Sequence, residues 1–387
     1  MRYIGNKTKL LDFIGAVVDE KRIGAGIAFD AFSGTASVGR YLKRRGFDVL
    51  SCDLMTYSFV FQRALIEMDE IPRFDEVFRR DAELRELRES HAFKTYVDSR
   101  FGLQGDLFSR DEPDYRRYQE IVCYLERFAA NVPGLISEEY AAKSQNSGDG
   151  RMFFTMSNAE RIDSMRAKLE SWHRSGALND SEYYAILASL IEAADAVANT
   201  TGVYAAFVKT WQSNSQRRIA LAIPGFVVNT GRNCRAIQGN VNEVVAELPA
   251  LDLLYLDPPY NTRQYSSYYH VPELIARGWF NEVPKLRGKT GLIENAHQKS
   301  AWSTVGGCVD ALDDLLSKAT FRYLLMSYNS EGIIPESEVR RLFKSYGRAE
   351  TFQVFERDYE RYRSDGDSEL RQYKADTVTE KVYYVER

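Results

Sequence analysis

The sequence predicts an α/β protein: a doubly wound, mostly parallel sheet that carries a helical insertion. Three observations predict it. The apolar run Leu251–Leu256 is long enough for one fully buried strand, and Pro258 and Pro259 stop it, because proline cannot donate to a sheet ladder. Residues 27–53 read as strand, glycine-bearing turn, helix, strand and acid, a crossover of about thirty residues. From Cys234 onward, strand and helix signals alternate, as parallel strands joined by helical crossovers require.

Residues 3–9 are a polar, glycine-bearing lead-in. Leu10, Leu11, Phe13, Ile14, Val17 and Val18 then recur at helical spacing, and Gly24 and Gly26 break that helix. Residues 27–32 read as a buried strand running into the turn at Ser33, Gly34, Thr35 and Ala36. A helix follows through Tyr41 and Leu42 and is closed by Gly46. Residues 47–52 form the next strand, which ends in Asp53. From 59 to 200 the alternation fades into charged, helical stretches such as 79–93 and 114–128, and residues 142–150 read as a loop. The clearest helix is 181–198, where Tyr183, Ile186, Leu187, Leu190, Ile191, Ala194 and Val197 make one stripe. Asn179 and Glu182 can form a capping box at its start. Strands are expected again at 234–237, Leu251–Leu256, 323–326, 351–355 and 381–385, with helices at 309–316 and Glu336–Tyr346 between them.

The chain has 387 residues, enough for two domains or for one with a large insertion. Hydrophobic residues are 44% and charged residues 27%, the balance of a soluble globular protein. No apolar run approaches a membrane span, so no membrane partner is expected, and the N-terminus lacks a signal-peptide pattern. The four cysteines form no Cys-x-x-Cys pair and the four histidines no metal-ligand spacing, which points to reduced thiols and to no bound metal. A net charge of −4 gives no overall basic footprint, so any nucleic-acid surface must be local.

Two stretches carry chemistry. Gly34 allows close backbone approach at a helix start, and Asp53 can accept hydrogen bonds from two ribose hydroxyls. Gly34 and Gly39 do not make a dinucleotide loop, and no P-loop is present. Asp30-x-Phe32-x-Gly34 better suits S-adenosylmethionine, whose sulfonium and amino-acid tail need no phosphate cradle; an ordinary strand–helix turn is the alternative. Lys7 could reach the cofactor carboxylate from the lead-in. In the second stretch, Asp257 and the Pro258 carbonyl can hold the two hydrogens of an exocyclic amine. That arrangement localises the nitrogen lone pair, a form of electrostatic preorganisation. Tyr260 is expected to stack on the base through its ring face, with its hydroxyl not required. The bland alternative is a rim turn leaving a strand. Asn261, Arg263, Gln264, Tyr265 and Tyr268 follow as candidate DNA contacts, together with Arg217, Arg218 and Lys289; each charge taken singly could equally be solvated.

These residues resemble the D12-class, Dam-like adenine-specific DNA methyltransferases. Among those the chain looks closest to the FokI-type methylases, whose segment also reads Asp-Pro-Pro-Tyr-Asn-x-Arg-Gln-Tyr. The resemblance takes in residues 2–7, 30–35, 193–200, 257–265 and 327–332, in the family's own order. It implies a Rossmann-like, seven-stranded methyltransferase sheet with one antiparallel strand and a helical target-recognition insertion. The expected division is 1–58 and 201–387 for the S-adenosylmethionine-dependent methyltransferase domain and 59–200 for the insertion. It implies methyl transfer from S-adenosylmethionine to N6 of a flipped-out adenine in a specific double-stranded DNA sequence. Asp257, Pro258 and Tyr260 would be catalytic. Tyr3, Lys7, Asp30, Phe32, Ser33, Gly34, Thr35, Asp53 and Asn240 would bind the cofactor. A monomer in the cytoplasm is expected, associated with the nucleoid through DNA, with room for a cognate restriction endonuclease acting independently. The alternatives are a base-amino methyltransferase acting on RNA adenine or cytosine N4, and a catalytically silent DNA-binding relative.

Two departures from the family pattern bear on the cofactor loop. Ala36 stands where the family has a second glycine, which requires a negative φ there. Asn240 stands where the family often has an acid.

Overall fold

The computed structural model describes residues 1–102, 113–127, 132–142, 150–360 and 377–387. Its strands are β1 (Ile27–Asp30), β2 (Asp48–Asp53), β3 (Arg235–Gln238), β4 (Leu251–Leu256), β5 (Phe321–Asn329), β6 (Gln353–Glu360) and β7 (Thr377–Glu386). They form one sheet in the order β3-β2-β1-β4-β5-β7-β6. Neighbours from β3 to β5 pair in parallel, and β7 runs antiparallel to both β5 and β6. The chain leaves β1 toward β2 and β3 and returns to β4 on the other side, so the strand order reverses between β1 and β4. Ligands of open α/β sheets bind at the carboxyl ends of the strands at such a point.

The central strand β4 is apolar because both of its faces are covered. Leu253 and Tyr255 pack into one apolar core, whereas Leu251, Leu254 and Leu256 pack into the other. The second core lies under the helices Cys308–Lys318 and Glu336–Tyr346. The first extends without a break from the sheet through Leu11–Glu20 and Ser37–Arg44 into the helices that follow β2. These are Thr56–Gln62, Asp75–Arg80, Ala82–Glu89, His91–Phe101, Pro113–Arg127, Leu135–Glu139, Met156–Arg174 and Asp180–Ala196. The long helix Asp180–Ala196 begins with the reciprocal capping box of Asn179 and Glu182 that the sequence predicts. Most of the loop expected at 142–150 lies outside the described residues.

Strand lengths depart from the sequence-based expectation at the C-terminal side. β5, β6 and β7 are longer than the apolar windows that mark them, because polar residues such as Arg322 and Arg357 also fit exposed positions in a paired strand. No helix among the described residues is long and apolar enough to cross a membrane.

Candidate active site

A cavity of about 760 Å³, counting its open mouth, lies at the carboxyl ends of β1, β2, β3 and β4. Ala31 and Phe32 enter it from β1, Asp53, Leu54 and Met55 from β2, and Gly239 and Asn240 from β3. Asp257 through Tyr260 enter from β4, and Tyr3, Ile4 and Gly5 of the lead-in close one side. Gln298, Ser300, Trp302 and Ser303 add a further wall.

Two positive-φ residues shape the loop after β1. Gly34 has φ +52°, and a Cβ on it would sit 2.8 Å from the Tyr3 ring, so only glycine lets the lead-in pack there. Ala36 has φ +62°, not the negative angle its methyl predicts. Its N–H donates to the Ser33 carbonyl at 2.7 Å and its side chain is fully buried. The turn therefore holds a non-glycine residue in the left-handed region, which costs about 1–2 kcal/mol.

Asp53 is tied down by the backbone: the Gly34 N–H donates to Oδ2 at 2.9 Å and the Met55 N–H to Oδ1 at 3.0 Å. Burial pushes its carboxyl up to about 6, against the pull of those two N–H groups. Each oxygen keeps a further lone pair for a ligand in the cavity.

Asp30 does not line the cavity. Its carboxylate turns back to accept from Ser33 Oγ and the Gly39 N–H, both at 2.9 Å, and so braces the loop from behind. Thr35 does not line the cavity either; its hydroxyl bonds the Asn6 side chain at 3.3 Å. Asn240 does, with its side chain capping the short helix Val241–Val244.

The segment after β4 holds a buried charge cluster. Tyr260 donates its hydroxyl to Asp257 Oδ1 at 2.5 Å. Lys7 donates to the same Tyr260 oxygen, and its Nζ lies 3.2 Å from Asp257 Oδ1 and 3.8 Å from Glu380 Oε2. Burial pushes the Asp257 carboxyl up to about 7; Lys7 opposes this, while Glu380 and Asp30 add to it. The Tyr260 hydroxyl thus bridges the cluster, which a role for the ring face alone does not include. Lys7 meets Asp257 directly and is absent from the cavity lining.

Among the described residues, nothing hydrogen-bonds Asp257 Oδ2 or the Pro258 carbonyl. The neighbouring groups are engaged: the Pro259 carbonyl accepts from Tyr328 at 3.3 Å, and the Tyr260 carbonyl from the Ile333 N–H at 3.2 Å. Two acceptors are therefore left open on adjacent residues at the cavity.

The residues expected at a DNA surface separate into two groups. Arg217, Arg218, Arg263 and Lys289 are exposed. Gln264 is instead occupied, taking the Ser300 N–H at 2.8 Å and donating to the Ser300 carbonyl at 3.1 Å. Tyr265 lines the cavity with its hydroxyl on the Ile4 carbonyl, Tyr268 packs on the core, and Arg218 donates to the Glu126 carbonyl. Asn261 accepts from the Arg263 N–H. These partners remove Gln264, Tyr265 and Tyr268 from a freely exposed contact surface.

Sequence reasoning did not find Glu380 or the wall at 298–303. A tryptophan inside a polar stretch, Trp302, was the one usable signal; its indole N–H is fixed by Asn242 at 2.7 Å and its ring meets Phe32 edge-on.

A reversed strand order with antiparallel β7, and a cavity at the switch point, define a Rossmann-like methyltransferase fold. The chain belongs to the D12 class N6 adenine-specific DNA methyltransferase family, whose model matches residues 3–342. It is 31% identical over 388 residues to the type II methyltransferase M.FokI of Planomicrobium okeanokoites, covering all of this chain and 53% of that protein. It is 30% identical to the modification methylase StsI of Streptococcus sanguinis, covering 100% of this chain and 52% of that one. The chain thus spans about half the length of these two relatives. The type II methyltransferase M.NlaIII of Neisseria lactamica is 28% identical over 390 residues, with 99% of its own length covered. No solved structure matches the chain.

Proposed function

We propose that this protein transfers a methyl group from S-adenosylmethionine to N6 of an adenine flipped out of a specific double-stranded DNA sequence. The observation that carries the reading is the open acceptor pair, Asp257 Oδ2 and the Pro258 carbonyl. An exocyclic amine presents two hydrogens, and two fixed acceptors would draw its lone pair out of the ring as the bond to carbon forms. Tyr260 fixes the other Asp257 oxygen through its hydroxyl while its ring edges the cavity. A base in a duplex must leave the stack to reach this point, at a cost of a few kcal/mol.

The cavity suits the donor. Asp53 offers spare lone pairs for ribose hydroxyls, and two buried atoms of lining residues, Gln298 Oε1 and Ser303 Oγ, have no partner among the described residues. When bound, S-adenosylmethionine supplies an electrophilic methyl group; the chain's part is to hold the nucleoside and the amine. Asp53→Ala is expected to weaken binding of S-adenosylhomocysteine by about tenfold or more, since a hydrogen bond to a charged group contributes about 1.5–3 kcal/mol. Titration calorimetry reads this, and equal affinity in variant and parent would remove Asp53 from the site.

On this reading residues 59–200 recognise the target. Grafting that segment from a relative with another target should move the methylated sequence; a target that stays with the Asp257-bearing part would assign recognition there instead. The type II and modification methylase names of the relatives support a role beside a separate restriction endonuclease. The protein would act as a cytoplasmic monomer. Sequencing with modified-base detection, on DNA from cells expressing the protein, tests the whole proposal. N6-methyladenine within one recurring sequence supports it. Methylation of RNA or of cytosine alone would transfer the same chemistry to another substrate.

A further inference from the structure

Resting on the reading above, we infer that Glu380 is a positioning residue for methyl transfer. It shares the Lys7 ammonium with Asp257 and so leaves the Asp257 carboxylate the stronger acceptor for the target amine.

The topology explains how a residue near the end of the chain reaches the site. β7 is antiparallel to β5, so its first residues lie at the carboxyl edge of the sheet, where the parallel strands end. Glu380 stands opposite Asn329 of β5 and Arg357 of β6. Its side chain is largely buried, and Oε2 has no hydrogen bond among the described residues although Lys7 Nζ lies 3.8 Å away. The next residue, Lys381, points to the other face of the sheet and pairs with Glu336 and Glu356, so it does not neutralise Glu380.

One buried cation therefore stands between two carboxylates. Alone with Asp257, the Lys7 ammonium would form a closed ion pair, and a carboxylate neutralised in that way is a weak base. Glu380 divides the cation's attraction. The other titratable groups facing Asp257 are Tyr260, Asp30, Tyr255 and Tyr265. Among the acids, Glu380 raises the proton affinity of Asp257 more than Asp30 does.

The reaction needs such a base. The donor's S–C bond breaks as the N–C bond forms, and the sulfur keeps the electron pair and becomes a neutral thioether. The nitrogen then carries the new methyl, both of its hydrogens and a positive charge. One proton must leave, and Asp257 Oδ2 is placed to take it, giving neutral methylamino base and a protonated Asp257.

Glu380→Gln keeps the shape and removes the charge. The measurements are single-turnover methylation against pH, S-adenosylhomocysteine affinity and thermal midpoint. The variant should bind S-adenosylhomocysteine within about twofold of the parent, because Glu380 does not line the cavity. Its acid limb should move to lower pH, since the lost negative charge no longer raises Asp257, and its plateau rate should fall on the order of threefold or more as the base weakens. Glu380→Asp should restore the parental limb in part, and it serves as the charge-keeping comparison if the Gln variant folds poorly. A Gln variant with parental limb and plateau overturns the inference, as does an Asp variant that behaves like Gln. A parent that neither binds S-adenosylhomocysteine nor methylates adenine would instead overturn the function proposed above.

Discussion

Asp257→Ala is expected to lower the single-turnover methylation rate by about 10²–10³, the usual cost of losing one preorganised group. S-adenosylhomocysteine affinity should change little, so the loss falls on kcat. The structure sharpens this expectation through Asp257→Asn. The Tyr260 hydroxyl donates to Oδ1, and the Lys7 ammonium lies 3.2 Å from the same oxygen. They would claim the carbonyl oxygen of an asparagine and turn its NH₂ toward the cavity. A donor would then face the amine where an acceptor is needed. The Asn variant should therefore be nearly as slow as the Ala variant. An Asn variant retaining more than about a tenth of the parental rate would show that the amide can turn, and that Lys7 does not fix the orientation.

Asp195→Ala is expected to destabilise the protein by about 2–3 kcal/mol and to weaken S-adenosylhomocysteine binding as well, although Asp195 does not line the cavity. Asp195 closes the last turn of the helix Asp180–Ala196 and is almost fully buried. It accepts the Arg2 backbone N–H at 2.6 Å and the Tyr204 hydroxyl at 3.2 Å, and pairs with Arg2 Nε at 3.5 Å. The Arg2 guanidinium also donates to the carbonyls of Asp195, Ala198 and Thr200. A cation thus sits where a helix C-terminus leaves its carbonyls unpaired. This clamp holds the lead-in whose Tyr3, Ile4 and Gly5 line the cavity and whose Lys7 meets Asp257. Urea denaturation and calorimetry read the two effects. The loss is smaller than the full cost of breaking a buried pair because Arg2 is partly exposed and can rehydrate. Lost stability with unchanged affinity would mean that the lead-in keeps its place without the clamp.

The clamp also gives a physical reason for two separated motifs. Arg2 to Lys7 and the run around Asp195 are far apart in sequence, and neither alone shows that the two meet. Together they place the lead-in over the switch point.

The sequence determined by itself those features that depend on near neighbours. Strand β4 is legible because two covered faces demand an unbroken apolar run and two prolines end it. The helices Glu336–Tyr346 and Asp180–Ala196 are legible from a 3.6-residue stripe and, in the second, a capping box between residues three positions apart. Asp53 and Asp257 could be placed at the cavity because each follows a recognisable buried strand. Only the tertiary structure decided what pairs across the fold. It turned Asp30 inward, tied Gln264 to Ser300, held Ala36 at positive φ and drew Lys7 to Asp257. It also brought Glu380 to the site through an antiparallel strand whose direction no local pattern encodes. A period of two or 3.6 records which face of an element is buried. It carries no record of which distant polar group will stand opposite, because that depends on strand order and direction, and these are set by the packing of the whole sheet.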